Sequence, residues 1–510
     1  MSDKNEKKQS KKGDSSNSGF YDALTNQNYY CEGPFVTTPT LALKKLAGSS
    51  LYLWDISKTH KEISLISFSK KELSEKEKKQ RLILAIEKKG AGDEEKYYIK
   101  TGLYAGRITY NGVIFDIQPD CNDALYKHML RYANHIYLDE SDELGKENKN
   151  NSFPLIEYLF LSSLQRVSVL GLPQEYSKQR YHDLKVHGGL DIQNYIKKDI
   201  PFKGKISSQK NERHYVQCIV DVLYAAMKAC KGEIEREFRG LSLIKNELSS
   251  SYSGIFPSQQ TIQNAQSHRS LHNPMYADFK RTLTFAEIVI RHNTVLPDKS
   301  KDAKNKASGY LLDIASLWEV YLEHVLREGL NEWDVSAQEE LKLYNGCFFE
   351  RSNYPDLVLR KKDDPSKVVI LDAKFKKMRM NSKLVDVDRS DLHQIHSYAG
   401  YYRENGDTVV LCGLIYPLSL ENPVNNEENL YGLDKPKTLF VIDGIYKGKK
   451  SKQENSQKTD DNAGKPAEDE NSEIPEELDK GYSYVEAEEA FIKRMQNYLN
   501  KAVKKLEENQ

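Results

Sequence analysis

The sequence predicts an α+β N-terminal domain with β-hairpins, a helical connector, an α/β core in the order αβββαβ, and a C-terminal helix. Three stretches carry that expectation. Tyr97 to Pro119 sets two alternating apolar runs around Asn111-Gly112, a residue pair that accepts the positive φ angles of a two-residue hairpin turn. Gly309 to Leu330 repeats Leu311, Ile314, Trp318, Tyr321 and Val325 at helical spacing. Tyr354 to Lys376, YPDLVLRKKDDPSKVVILDAKFK, reads as two strands, Leu357 to Arg360 and the β-branched Lys367 to Leu371, joined by a polar turn containing Pro365.

Taken in order, residues 1–18 contain almost no apolar side chain and are expected to be disordered. Residues 19–200 form the α+β domain, with short strands between Leu51 and Phe68, the Asn111-Gly112 hairpin, and helices over Asp123 to Leu138 and Phe153 to Leu170. So tight a hairpin makes a narrow ribbon able to project from its domain. Residues 201–305 read as a helical connector, broken at Ser249 to Gly254 and at Asn273-Pro274. The α/β core takes 306–446. It comprises the Glu319 helix, a strand over Leu341 to Phe349, the two strands of Tyr354 to Lys376, a helix over Ser390 to Arg403 opened by Ser390 or Asp391, and a strand over Thr408 to Tyr416. Residues 447–481 are a tract of Lys, Asp, Glu, Asn and Ser that cannot form a core and are expected to be disordered. Residues 482–510 close the chain with a helix that places Phe491, Met495, Tyr498, Leu499 and Val503 on one face.

Composition narrows function mainly by exclusion. Lys plus Arg and Asp plus Glu both number 75 in 510 residues, so overall charge makes no case for nucleic acid and any basic surface is local. The six Cys include no CxxC pair, which argues against zinc and against a disulfide framework and suits a reducing cytoplasm. No apolar run is long enough to cross a bilayer, so a soluble cytoplasmic protein is expected, without a membrane partner. No GxxxxGK[ST] loop occurs, and nucleotide binding through a P-loop is not expected.

Chemistry concentrates where the two central strands end. Alternation puts Asp372 and Lys374 on one face with Ala373 on the other, and Asp356 on the neighbouring strand can reach that face. Two carboxylates this close repel unless a cation lies between them, and hard oxygen ligands suit Mg2+, with Mn2+ able to replace it. Lys374 would then face the attacking water. Glu319 lies among Leu312, Ala315, Leu322 and Leu326; it either has a partner in the site or sits at the margin of the stripe with its head in water. Gln394 and Tyr398 share a helix face, either at the site or packed in the core.

This set resembles the PD-(D/E)xK nuclease superfamily, whose core has the same order of elements and whose metal site is a Pro-Asp followed by an Asp/Glu-x-Lys. Pro355-Asp356 and Asp372-Ala373-Lys374 stand at those positions, and Gln394-x-x-x-Tyr398 resembles the RecB-like branch. The N-terminal half resembles the McrC family. Its GxIxxNGxxFxIxP hairpin starts at Gly106, and Met129-Leu130 with Tyr132-Ala133, His187 to Asp191, a helix over Asn211 to Ala229, and Leu311-Leu312-Asp313 with Trp318-Glu319 follow in the family's order. Asp120 and Ala373 depart from it, standing where a basic residue and a Thr are frequent.

The resemblance implies a Mg2+-dependent endonuclease subunit of an McrBC-like restriction system acting in antiviral defence. Asp356, Asp372 and the Ala373 carbonyl would hold the metal, and Glu319 would complete its environment directly or through water. Lys374 would position the nucleophile, and Gln394 and Tyr398 would act behind the ligands or touch DNA. Double-stranded DNA bearing modified cytosine is the implied substrate, and a ring of McrB-like AAA+ GTPase subunits, stimulated by the N-terminal domain, the implied partner. Two other classes stay open: a stand-alone restriction or repair endonuclease, and a non-catalytic adaptor that stimulates a motor ATPase or GTPase.

Overall fold

The computed structural model describes residues 20–25, 36, 38–60, 63–68, 73–90, 95–133, 155–230, 238, 240–293, 307–344, 346, 351–376, 387–419, 427–432, 438–448 and 482–508. The stretches read as disordered, 1–18 and all of 447–481 except Lys447 and Gly448, lie outside these. Contacts divide the chain into two units, one of residues 1–137, 143–153 and 300–510, the other of residues 138–142 and 154–299.

In the first unit a five-stranded sheet runs in the order Phe20–Leu24, Val113–Gln118, Tyr104–Tyr110, Ala307–Asp313, Ile63–Ile66. Asn111 and Gly112 turn the expected hairpin with φ of 49° and 81°. It does not project. Phe20–Leu24 pairs along one of its strands and Ala307–Asp313 along the other, because its alternation buries Ile108, Val113 and Phe115 completely and such surface needs neighbours. A Cβ on Gly106 or on Gly309 would lie 2.2 Å from a carbonyl oxygen of the facing strand, so this close pairing depends on both glycines.

The strand Ala307–Asp313 corrects the helix expected from Gly309. Tyr310, Leu311 and Leu312 are all buried, and an uninterrupted apolar run suits a strand covered on both faces as well as a helix. The helix starts at Ile314, where Asp313 accepts from the N–H groups of Ala315 and Ser316 at 3.1 and 3.2 Å. A three-stranded sheet, Ser50–Tyr52, Leu82–Lys89, Lys96–Thr101, shares the core of this region. Between Leu51 and Phe68 the chain forms a helix, Leu53–Lys58, as well as strands.

The same unit carries a six-stranded sheet in the order Trp333–Ala337, Leu357–Lys361, Lys367–Ala373, Thr408–Leu418, Leu439–Tyr446, Glu427–Asn429. The first three strands are antiparallel, and Lys367–Ala373, Thr408–Leu418 and Leu439–Tyr446 are parallel. Trp333–Ala337 stands where a strand over Leu341 to Phe349 was expected. It alternates buried Trp333 and Val335 with exposed Asp334, whereas Leu341–Leu343 pairs with Arg351–Asn353 in a separate hairpin; residues 347–350 lie outside the described residues. The helix Arg389–Glu404 covers the face bearing Val358, Val368, Ile370, Cys412 and Leu414, and its cap is Asp388, which accepts from Ser390 N–H.

The C-terminal helix, Tyr484–Glu508, packs on this sheet and on the helix Ile314–Gly329. It buries Phe491, Met495, Leu499, Ala502 and Leu506, while Arg494 at 3.0 Å and Tyr498 at 2.9 Å satisfy the fully buried Asp443. Asp120, unusual against the family pattern, pairs with Lys447 at 2.8 Å.

The second unit packs the helices Leu155–Ser168, Gln217–Ala229, Leu241–Ser251, Gln259–Gln266 and Phe279–Asn293. A ten-residue ribbon, Gln174–Asp183 against Ile206–Tyr215, extends from them, with Gly189–Leu190 and the helix Ile192–Lys198 at its far end. The expected boundary at residue 200 therefore falls inside one ribbon, and the segment that follows is a strand before it is a helix. The helix that the resemblance implies from Asn211 begins at Gln217 instead, because Ile206–Tyr215 is mostly polar and is held by its strand partner rather than by an apolar face.

Candidate active site

Antiparallel pairing sets Leu357 against Leu371, and one more step along both strands brings Asp356 opposite Asp372. The strand end is held in place by its backbone: Ala373 N–H donates to Asp356 Oδ2 at 2.9 Å, and Lys374 N–H donates to Ile415 O at 2.9 Å. Lys374 then turns its ammonium to Asp372 Oδ2 at 2.5 Å and to Gln394 Oε1 at 3.0 Å. Gln394 Nε2 donates to Tyr398 OH at 2.8 Å, which donates to Tyr354 O at 3.1 Å. The Gln394–Tyr398 pair is thus a brace from the Arg389–Glu404 helix to the residues just before Asp356.

Glu319 comes from the Ile314–Gly329 helix and accepts from Gln338 Nε2 at 3.0 Å, while Gln338 N–H donates to Asp356 O at 3.2 Å. Gln338 joins the two carboxylate-bearing segments from a backbone with φ of 53°. The start of the Glu319 helix is held by Arg81, whose Nη1 lies 3.3 Å from Asp313 Oδ2.

Burial and mutual repulsion raise the affinity of these acids for protons. Burial, then Glu319, pushes Asp356 up to about 6. Burial, then Asp313, pushes Glu319 up to about 7. Asp372, with no exposed surface, is driven well above the usual range by burial and by Asp356. Burial alone would lower the Lys374 ammonium, but Asp372 and Asp356 outweigh it and raise it.

A divalent cation fits this arrangement. Asp372 Oδ1 is buried without a hydrogen-bond partner; Oδ2 has the Lys374 ammonium close by, though not in hydrogen-bond geometry. Among the described residues no group of three His, Cys, Asp or Glu side chains is assembled to hold an ion, so the fit rests on the Asp356–Asp372 pair. Mg2+ accepts such a site, since it keeps several waters and binds through one or two carboxylates.

Three residues here were not singled out from sequence as part of a site: Gln338, Arg81 and Asp391. Asp391 was read only as a possible helix cap; it is buried, with Lys376 Nζ 3.1 Å from Oδ2 and Lys374 Nζ 3.9 Å from Oδ1. Gln338 and Arg81 carried no signal in the sequence, being single polar residues outside any motif.

Among the described residues, no helix is long and apolar enough to cross a membrane. Residues 99–417 match the family model described as McrBC 5-methylcytosine restriction system component. No curated protein matches the chain. Among solved structures, a chain of the half-complex from the tetradecameric assembly of Thermococcus gammatolerans McrB AAA+ hexamers with bound McrC is similar over 94% of this chain and 99% of its own, with 15% identity and a TM-score of 0.53. A chain of the Thermococcus gammatolerans McrBC complex aligns over 61% of this chain and 88% of its own at 16% identity, with a TM-score of 0.36. At such identities the first similarity is one of fold, but the family model spans more than half of the sequence. The chain belongs to the McrBC 5-methylcytosine restriction system component family.

Proposed function

We propose that this chain is the DNA-cleaving subunit of an McrBC-type restriction system, hydrolysing phosphodiesters with Mg2+. The observation that carries this reading is the half-buried Asp356 set against the fully buried Asp372, whose Oδ1 has no hydrogen-bond partner and whose Oδ2 lies beside the Lys374 ammonium. Asp356, Asp372 and the Ala373 carbonyl would hold the ion, and Glu319 would complete its surroundings directly or through water. Bound there, Mg2+ supplies Lewis-acid stabilisation of phosphate charge and acidifies a bound water. Lys374 orients the attacking water and offsets charge on the phosphate. Gln394 and Tyr398 keep Lys374 aimed, and Gln338 keeps Glu319 from turning away.

The partner would be an AAA+ ring, as named in the Thermococcus gammatolerans assembly. The surface proposed to meet it is the end of the ribbon in the second unit, because the Asn111-Gly112 hairpin has both edges occupied. Leu184, Ile192, Ile196 and Phe202 are all exposed there, at 78, 66, 60 and 64%. A narrow ribbon end with so many bare apolar groups gains from burial against a partner. The test is cleavage of 5-methylcytosine DNA by the chain with its AAA+ partner, nucleotide and Mg2+. No cleavage under any combination of these, with nucleotide hydrolysis by the partner still stimulated, would favour the adaptor reading.

A further inference from the structure

Lys374 is held by more than the residue it must release. Its ammonium contacts Asp372 Oδ2 at 2.5 Å and Gln394 Oε1 at 3.0 Å, and lies 3.9 Å from Asp391 Oδ1. A divalent cation on Asp372, whichever oxygen it takes, draws on the same negative charge that holds this ammonium. Once the cation takes it, Gln394 offers Lys374 a hydrogen bond but no charge. Among the described residues, the remaining carboxylate in an ion pair with Lys374 is Asp391.

Asp391 is built for that role. It is 4% exposed, so water screens it little. Lys376 Nζ binds both its oxygens, at 3.2 and 3.1 Å, and Tyr416 OH donates to Oδ2 at 3.4 Å, which fixes the carboxylate at the start of the Arg389–Glu404 helix. Lys376 is shared with Asp388 at 3.5 Å, so it does not fully neutralise Asp391. Charge is therefore left over on the side facing Lys374.

We infer that Asp391 is a positioning residue: it supplies the counter-charge that holds Lys374 in place when Asp372 is committed to the metal. The inference rests on the metal-dependent reading of the site. It has a consequence apart from catalysis. Without Asp391, the ammonium leans more heavily on Asp372 and on the nearby charge of Asp356, the carboxylates assigned to the cation, and competes with the cation for them, so cation binding weakens. That competition requires Lys374.

The experiment is a double-mutant cycle on the full chain, reading Mg2+ binding by calorimetry in the absence of DNA. Asp391→Asn should weaken Mg2+ binding about tenfold when Lys374 is present, and about twofold or less in the Lys374→Met background. Equal losses in both backgrounds, or none in either, overturn the inference. Absence of Mg2+ binding by the wild type is a separate result, which removes the metal reading itself. Each protein is melted in chelator to follow folding. If Asp391→Asn fails to fold, Asp391→Glu takes its place, keeping the charge on a longer arm; it should bind Mg2+ within about threefold of wild type, and a tenfold loss with charge retained overturns the inference.

Discussion

Asp356→Asn should make the metal-free protein more stable, although it removes a residue assigned to the working site. Asp356 is half-buried, and desolvation together with the nearby Glu319 pushes its pKa up to about 6 from the 3.8 of an ordinary aspartate, a difference worth about 3 kcal/mol. The sign follows from proton counts. Between about pH 4 and pH 6 the folded chain binds more protons at this group than the unfolded chain does, so stability falls as pH rises through that window. By pH 8 the whole penalty is expressed. Asparagine keeps an oxygen to accept from Ala373 N–H, carries no charge, and removes the repulsion on Asp372. The expected gain in chelator is about 2–3 kcal/mol at pH 8, several degrees in melting midpoint, and nearly nothing at pH 4. Adding Mg2+ should reverse the order, since only the wild type gains binding energy from the ion. Thermal melts of both proteins at pH 8 and pH 4, with chelator and with Mg2+, measure all of this. A variant less stable than wild type in chelator at pH 8, and equally stabilised by Mg2+, would falsify the argument that this pair waits for a cation.

The remaining expectations concern the site, the C-terminus and the ribbon. Lys374→Ala should abolish cleavage while leaving association with the AAA+ partner intact, and Glu319→Gln should be milder; gel assays of cleavage and co-sedimentation check both. Removing residues 482–508 strips Phe491, Met495, Leu499 and Leu506 from the sheet, a loss of roughly 6–12 kcal/mol of burial that rivals a whole domain's stability, and soluble expression should fail. Deleting residues 449–473, almost without apolar side chains, should leave the melting midpoint within about a degree of wild type. Ile196→Asp with Phe202→Asp, both at exposed positions, should leave the melting midpoint within about 2 °C but weaken stimulation of the partner's nucleotide hydrolysis; unchanged stimulation would remove the ribbon from the interface.

What could be read from the sequence was whatever a local pattern specifies. The Asn111-Gly112 turn, the strands on either side of Pro365 and the amphipathic C-terminal helix each carry their signal within a few residues, and each is present. Asp356, Asp372, Lys374, Gln394 and Tyr398 were within reach for the same reason, since strand alternation and a spacing of four on a helix bring them together. What could not be read depends on partners distant in the chain. Ala307–Asp313 becomes a strand because Tyr104–Tyr110 and Ile63–Ile66 flank it. Gln338 reaches Glu319 from a backbone of positive φ, and Asp391, on the Arg389–Glu404 helix, meets Lys374 and Lys376 from just past the end of the Lys367–Ala373 strand.

The most direct test of the proposed activity is cleavage by the reconstituted system, with wild type and Asp372→Asn compared on methylated and unmethylated DNA in Mg2+ and nucleotide, and partner stimulation followed in the same reactions. The expected result is cutting of 5-methylcytosine DNA by the wild type alone, with both proteins stimulating the partner equally. Cutting by Asp372→Asn at the wild-type rate would contradict it.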